Sequence, residues 1–273
     1  QSTPAYVLTP KGANKPRPAL VAIHGHGGNF LWGKSKITAN RRGNPTYGYG
    51  IRLVRQGYVV LAPDLPGFED LSFSGTIRQG PWNSDVERLL FGNLLLKGAT
   101  LLGWNLLELS LAVDYLETRD DVDKEKIGVI GHSMGGTLAP LLALFDGRVR
   151  AIAASCGVGT WKTLLSRHVI HNFSCYVPGL LQQVGDLDVL LAALAPCPFM
   201  IIAGEMDDNF PVDGVRQLGA ALEAPYTALK ASDALEVQID DEGHHFHEGR
   251  QEVAVAFLER WLLKESSTTK VRT

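Results

Sequence analysis

The sequence is poor in cysteine, has no block of one charge and has no long apolar run, and each absence removes a class of function. Three cysteines in 273 residues, Cys156, Cys175 and Cys197, show no C-x-x-C spacing and form an odd set, which fits neither a disulfide scaffold nor a zinc ribbon. A reducing, cytoplasmic compartment is the expectation from cysteine usage, although residue 1 is Gln rather than Met, a start that an export signal cut away earlier would also leave. Lysine and arginine number 26 against 29 acidic residues, a net charge of −3, and the longest basic run is Arg41-Arg42. Nucleic acid is therefore not expected as a partner. No uninterrupted apolar stretch reaches the roughly 18 residues that a membrane span needs, since even Leu89 to Leu111 contains Lys97, Asn105 and Glu108. There is no internal repeat, and the only biased tract is the polar tail from Lys264 to Thr273.

What remains is ordinary globular composition, 45% hydrophobic and 20% charged, in a chain long enough to bury about 75% of its unfolded surface. One domain spanning 1–273 is expected. Short apolar runs at Ala19 to Ile23, Tyr58 to Ala62, Ile127 to Ile130, Val149 to Ala154, Phe199 to Ala203 and Leu235 to Ile239 are bounded by Gly, Pro or charged residues and read as strands of a parallel sheet. Between them, Leu102, Leu106, Leu109, Val113 and Leu116 recur at helical spacing, with the charged residues that follow read as a loop. Further helices are expected at Tyr47 to Gln56, Gly135 to Phe145, Val212 to Glu223 and Glu248 to Lys264. Strands alternating with helices predict an open α/β fold, a mostly parallel sheet with helices on both faces and its ligand site beyond the carboxyl ends of the strands.

Two stretches interrupt the alternation, about 67–97 and 157–196, and are candidate pocket walls or a small lid. The second carries Trp161, His168, His171, Phe173 and Tyr176, of which Trp161 is a candidate substrate contact. Trp32, Trp82 and Trp161 read equally as walls of an aromatic or sugar site and as core packing. Arg78 and Arg167 read as surface residues first and as carboxylate recognition second. Leu89 to Leu96 is either buried or an interface, which leaves the oligomeric state open.

The chemistry is concentrated in four motifs. Gly131-His132-Ser133-Met134-Gly135 is G-x-S-x-G between an apolar run and a helical stretch, the context in which a tight turn exposes a serine hydroxyl. Such a hydroxyl needs an imidazole to take its proton and a carboxylate to orient that imidazole. Asp207 and Asp208 follow the run ending at Ala203, and His244, His245 and His247 follow the run ending at Ile239. Taken singly, the acid has a second reading as a helix cap and the histidine one as a turn residue, and both stand behind the catalytic reading. The fourth motif, His24-Gly25-His26-Gly27-Gly28, places backbone N–H groups where a developing oxyanion could be stabilised, the donors being those of His26 and Met134. The crowded histidines also raise metal-assisted hydrolysis. No helical H-E-x-x-H or carboxylate-bridged pattern completes a ligand set, so no metal is expected.

With these motifs placed, the sequence resembles the α/β-hydrolase superfamily, and within it the dienelactone-hydrolase-like and acetyl-xylan-esterase-like serine esterases, over about Pro18 to Leu263. The resemblance rests on HGHGG at His24, APDLPGF at Ala62, GHSMGG at Gly131, GEMDDNFP at Gly204 and EGHHF at Glu242. It implies hydrolysis of a small carboxylic ester without cofactor or metal, and it selects Asp207 over Asp208 and His244 over His245. The nucleophile is Ser133 where dienelactone hydrolases use cysteine, which favours ordinary esters over lactones. A serine peptidase, an acyltransferase and a ligand-binding protein on the same scaffold are the alternatives.

Overall fold

The computed structural model describes residues 2–12, 15–39, 44–72, 85–169 and 172–263. Seven strands form one sheet in the order β1-β3-β2-β4-β5-β6-β7. They are β1 (Ala5–Leu8), β2 (Arg17–Ile23), β3 (Val59–Pro63), β4 (Val122–His132), β5 (Val149–Ser155), β6 (Phe199–Gly204) and β7 (Leu235–Asp240). β1 runs antiparallel to β3, and every other pairing is parallel. The helices are α1 (Ser35–Thr38), α2 (Tyr49–Arg55), α3 (Asp85–Leu96), α4 (Leu101–Glu117), α5 (Met134–Phe145), α6 (Trp161–Ser166), α7 (Leu180–Gln183), α8 (Leu187–Ala192), α9 (Val212–Ala228) and α10 (Glu248–Leu258). This is the α/β-hydrolase fold.

The continuous apolar runs exist because the central strands are covered on both faces. Alternate residues of β2 part company: Val21 and Ile23 belong to one buried cluster, with Leu109 of α4 and Leu138 of α5, whereas Leu20 and Ala22 belong to another, with Leu53 of α2 and Phe257 and Leu258 of α10. The period of two thus sorts one strand into two cores. At the sheet's centre Ile23 pairs with Gly131 and His132 with Ser155, so the carboxyl ends of β2, β4 and β5 lie side by side.

Several elements depart from expectation. β1 is a half-exposed edge strand whose four residues are too few to stand out as a run. β4 begins at Val122, not Ile127, because Val122 pairs with Arg17 across a register shift that keeps the charged segment 123–126 in the strand. α9 continues past Glu223 through Pro225 to Ala228, whereas α10 stops at Leu258 and passes into a π-helical turn, Glu259–Leu263. The first interruption contains α3, which buries Val86 and Leu90 against Leu101 while leaving Leu89, Leu95 and Leu96 exposed. The second contains α6, α7 and α8. Among the described residues no single helix is long and apolar enough to cross a membrane; α3 and α4 reach that length only as a pair bent by 98°.

The crossing from β4 into α5 is the tightest part of the fold. A Cβ on Gly131 would lie 2.2 Å from the Gly135 carbonyl oxygen, and one on Gly135 would lie 2.1 Å from that of Ile23. Both obstacles are backbone, which cannot rotate aside. Gly135→Ala is therefore expected to lower the unfolding free energy by about 2–3 kcal/mol, read from urea denaturation. An unchanged midpoint would contradict this account of the crossing.

Candidate active site

Ser133 is the residue between β4 and α5, with φ 59° and ψ −124°. Its N–H donates to the Ser155 carbonyl at 2.8 Å, and its own carbonyl accepts from the Thr137 N–H at 3.0 Å. Those two bonds pin the backbone on either side, and the side chain is left at the rim of the sheet. Met134 opens α5, so its N–H belongs to the first turn, where a helix supplies no internal acceptor and favours an anion.

The other two motifs converge on the serine. Ser133 Oγ lies 2.9 Å from His244 Nε2, and His244 Nδ1 lies 2.9 Å from Asp207 Oδ2 and 3.1 Å from Oδ1. The network assigns the proton of His244 to Nδ1, donating to the carboxylate, with the serine hydroxyl donating to Nε2. The Asp207 side chain is fully buried. Burial alone would raise its carboxyl, but the bonds from His244 and from the N–H groups of Phe210 and Asn209 outweigh it and hold the carboxyl below its ordinary value. Phe210 stacks on the His244 ring, with centroids 6.0 Å apart at 12°. Asp208 is exposed and makes none of these contacts. His245 reaches the same cavity as Ser133 without entering the chain of bonds.

The loop after β2 crosses in front of Ser133. A Cβ on Gly25 would lie 3.4 Å from that of Ser133, so glycine allows the close approach. His24 is fully buried; its Nε2 accepts from the Leu65 N–H at 3.2 Å, leaving Nδ1 to donate to the Gly25 carbonyl at 3.1 Å. His26 Nδ1 accepts from the Gly28 N–H, and Nε2 lies 3.2 Å from Glu87 Oε2.

Three residues that organise these loops carry no local motif. Glu87, buried at the start of α3, holds His26 with one oxygen and accepts from both the N–H and the hydroxyl of Ser174 with the other, each at 3.0 Å. It thereby ties the glycine loop to both interrupting stretches. Arg250 of α10 donates to the carbonyls of Gly243 and His245, on either side of His244, and to that of Ala203 at the end of β6. Lys36 of α1 lies beneath the glycine loop; burial pushes its ammonium down to about 7, against the pull of Glu69 and Asp64.

A cavity of about 560 Å³ opens over Ser133, lined among others by Gly25, His26, Tyr47, Arg88, Phe173 and His244. Of the bulky residues in the second interruption, Phe173 reaches it. Trp161 does not: it is 5% exposed, belongs to the core and packs on Tyr176 at 5.6 Å, beside a separate groove. The direction of its side chain from the first turn of α6 gives it to packing, which sequence could not reveal. Trp32 packs edge-on to Tyr47, 6.5 Å between centroids, and Arg167 pairs with Asp213 on the surface. Trp82, Arg78 and His171 lie outside the described residues.

Among the described residues, one group brings three possible metal-ligand atoms within 4.8 Å of one another, Cys156, Asp207 and His244. Burial, then the Asp207 charge, push the Cys156 thiol up to about 12, and Arg250 donates to its sulfur at 3.0 Å. The thiol is thus protonated at neutral pH, and Asp207 and His244 are already engaged with each other.

Comparison with known proteins agrees with this architecture. The model of the α/β hydrolase fold matches residues 18–167, and that of the prolyl oligopeptidase family matches residues 103–268. YtaP of Bacillus subtilis (strain 168), assigned as a hydrolase, is 31% identical over 264 residues, covering 96% of this chain and 84% of that one. The chain is an α/β hydrolase of the prolyl oligopeptidase family. Two solved structures share the fold of this hydrolase. One, from Bacteroides fragilis NCTC 9343 and assigned as an acetyl xylan esterase, has TM-score 0.68 and 22% identity, covering 86% of this chain. The chain spans 62% of that protein's length. The other, from Klebsiella pneumoniae subsp. pneumoniae MGH 78578 and assigned as a dienelactone hydrolase, has TM-score 0.61 and 17% identity, covering 97% of this chain and 94% of that one.

The buried histidines give the hydrolase a defined acid response. Burial, first among the causes, lowers His24 to about 3, and burial also holds His132 well below its ordinary value. Below about pH 6.5 the unfolded chain therefore binds protons that the folded chain does not, so stability is lost as pH falls. Each histidine contributes a slope of up to ~1.4 kcal/mol per pH unit. Unfolding free energies from urea titrations at pH 6.5 and 5.0 should fall accordingly, and His24→Asn should remove one histidine's share of the slope. Equal slopes in the two proteins would contradict a neutral buried His24.

Proposed function

We propose that this hydrolase cleaves carboxylic esters, with Ser133 as nucleophile, His244 as general base and acid, and Asp207 as the group that orients His244. The observation that carries the reading is the unbroken chain Asp207–His244–Ser133, both links at 2.9 Å. His244 Nε2 takes the hydroxyl proton as Ser133 Oγ attacks the ester carbonyl, and the imidazolium is stabilised by the ionised Asp207. The N–H groups of His26 and Met134 receive the oxygen that becomes negative. His244 returns the proton to the departing alcohol, leaving an acyl-enzyme, and a water molecule then repeats both steps. Each proton has a residue of this chain to hold it, so the sequence of steps calls on no cofactor or metal.

The cavity lining supports a polar substrate. Asn44, Thr46, Tyr47, Arg88, Asn172 and Asn209 are among its lining residues, and their amides, hydroxyls and one guanidinium suit an oxygen-rich alcohol and a short acyl group better than a fatty chain. Likeness in fold to a protein assigned as an acetyl xylan esterase agrees with this. The match to the prolyl oligopeptidase family favours a second reading, cleavage of a peptide bond, whose poorer leaving group demands more of the proton on His244.

Hydrolysis of p-nitrophenyl acetate, butyrate and octanoate, beside an aminoacyl p-nitroanilide, separates the two. The esterase reading expects the acetate to be the best ester, slow or no anilide cleavage, and a loss of about 10⁴-fold or more in kcat for Ser133→Ala. Anilide cleavage faster than ester cleavage would establish the peptidase, and full activity in Ser133→Ala would overturn both.

A further inference from the structure

Lys36 is 2% exposed, and a lysine is almost never so buried unless its charge is answered. The neighbouring carboxylates are occupied elsewhere. Asp64 accepts from the N–H and the ammonium of Lys34, at 2.7 and 2.6 Å, and Glu69 accepts from the N–H groups of Gly33 and Ser35 at 2.9 and 3.0 Å. The Lys36 ammonium instead donates to the carbonyls of Gly25 at 3.0 Å, His26 at 2.8 Å and Asn29 at 3.4 Å, and it lies 5.0 Å from the centre of the Phe68 ring. All three acceptors belong to the loop that passes in front of Ser133.

The planarity of the peptide unit turns this contact into a statement about the site. The Gly25 carbonyl and the His26 N–H share one trans peptide and point in opposite directions. Holding the oxygen on Lys36 therefore sets the direction of the N–H. The next carbonyl, that of His26, is held by the same Lys36 nitrogen, so neither of the two peptide units that flank the His26 Cα can turn without breaking a buried hydrogen bond. Glu87 fixes the His26 side chain independently; Lys36 shares its hold on the Gly25 carbonyl with His24 Nδ1, at 3.1 Å, and adds the bond to the His26 carbonyl on the far side of the same residue.

We propose that Lys36 is a positioning residue for the oxyanion hole, its buried ammonium gripping the Gly25 and His26 carbonyls so that the His26 N–H faces the substrate's carbonyl oxygen. The inference rests on Ser133 being the nucleophile. Lys36 itself does not touch the reacting atoms. Its effect falls on the transition state, where the oxygen is charged, and not on the bound ester, where it is neutral.

The test compares wild type with Lys36→Met, which keeps the length and loses every donor, and Lys36→Gln, whose amide can still donate to the loop. Three quantities are read: kcat and KM on a short p-nitrophenyl ester, the inactivation rate by diethyl p-nitrophenyl phosphate, and the melting temperature. The expected result is a fall in kcat of about 10- to 100-fold for Lys36→Met with KM changed less than about threefold. Inactivation should slow in parallel, because the phosphoryl oxygen occupies the same hole, and Lys36→Gln should recover part of both. Unchanged kcat in a folded Lys36→Met, or a rise in KM alone, would overturn the proposal. If Lys36→Met does not fold, Lys36→Gln is read in the same way; failure of both to fold would assign Lys36 to stability and overturn the proposal as well. The organophosphate reaction needs the serine and the hole but no ester turnover. A wild type that is phosphorylated yet cleaves no ester would sink the esterase reading while leaving the Lys36 ratio measurable.

Discussion

The backbone of Ser133, at φ 59° and ψ −124°, lies outside the regions that side-chain-bearing residues ordinarily occupy, at a cost of about 1–3 kcal/mol. The surrounding chain leaves no alternative. Gly131 and Gly135 touch across the turn, Gly135 lies against the end of β2, and Gly136 and Gly157 meet behind it, each so closely that a Cβ would fall within 2.6 Å of backbone. The same glycine contacts bring β2, β4 and β5 together at their carboxyl ends. The loops carrying His24 to Gly28, Ser133 and the segment after Ser155 therefore share one small space, and the site is a consequence of how closely the backbone can pack there.

Around that fixed point, loops are held by buried charges. Arg250 grips the carbonyls on either side of His244, and Lys36 grips those of Gly25 and His26. A loop is rich in carbonyls that no neighbouring strand or helix satisfies, and a buried cation answers several at once in a low-dielectric setting. Asp207 works in the opposite sense. Its ionised form is held by two backbone N–H groups and by His244, so the negative charge sits at the far end of the chain of bonds from Ser133. Charge is thus kept away from the reacting oxygen until the proton on Ser133 moves.

Legibility in the sequence followed locality. Ser133, Asp207 and His244 each sit in a run of consecutive residues at a strand end, and the structure brings their side chains within hydrogen-bond reach. β2, β3 and β6 were readable because burial on both faces makes them almost wholly apolar, whereas β7 is half-exposed and showed only through its alternating Leu235, Val237 and Ile239. β1 was not readable, being short and half-exposed. Nor were Glu87, Lys36 and Arg250, whose partners lie 61, 11 and 7 residues away along the chain in the bonds to His26, Gly25 and Gly243. A lone charged residue on a helix reads as solvated surface, and only the packing shows it to be buried. Trp161 shows the same limit from the other side: its position in an insertion near the site suggested substrate contact, and the structure places its side chain in the core beside Tyr176, away from the cavity over Ser133.

The central claim, that Ser133 is made nucleophilic by His244, is tested most directly by labelling with a fluorophosphonate and locating the adduct by peptide mass spectrometry. The account predicts one adduct per chain, on the peptide containing Ser133, with the reaction slowed by orders of magnitude in His244→Ala. A folded wild type that takes up no label, or takes it up on another residue, would contradict it.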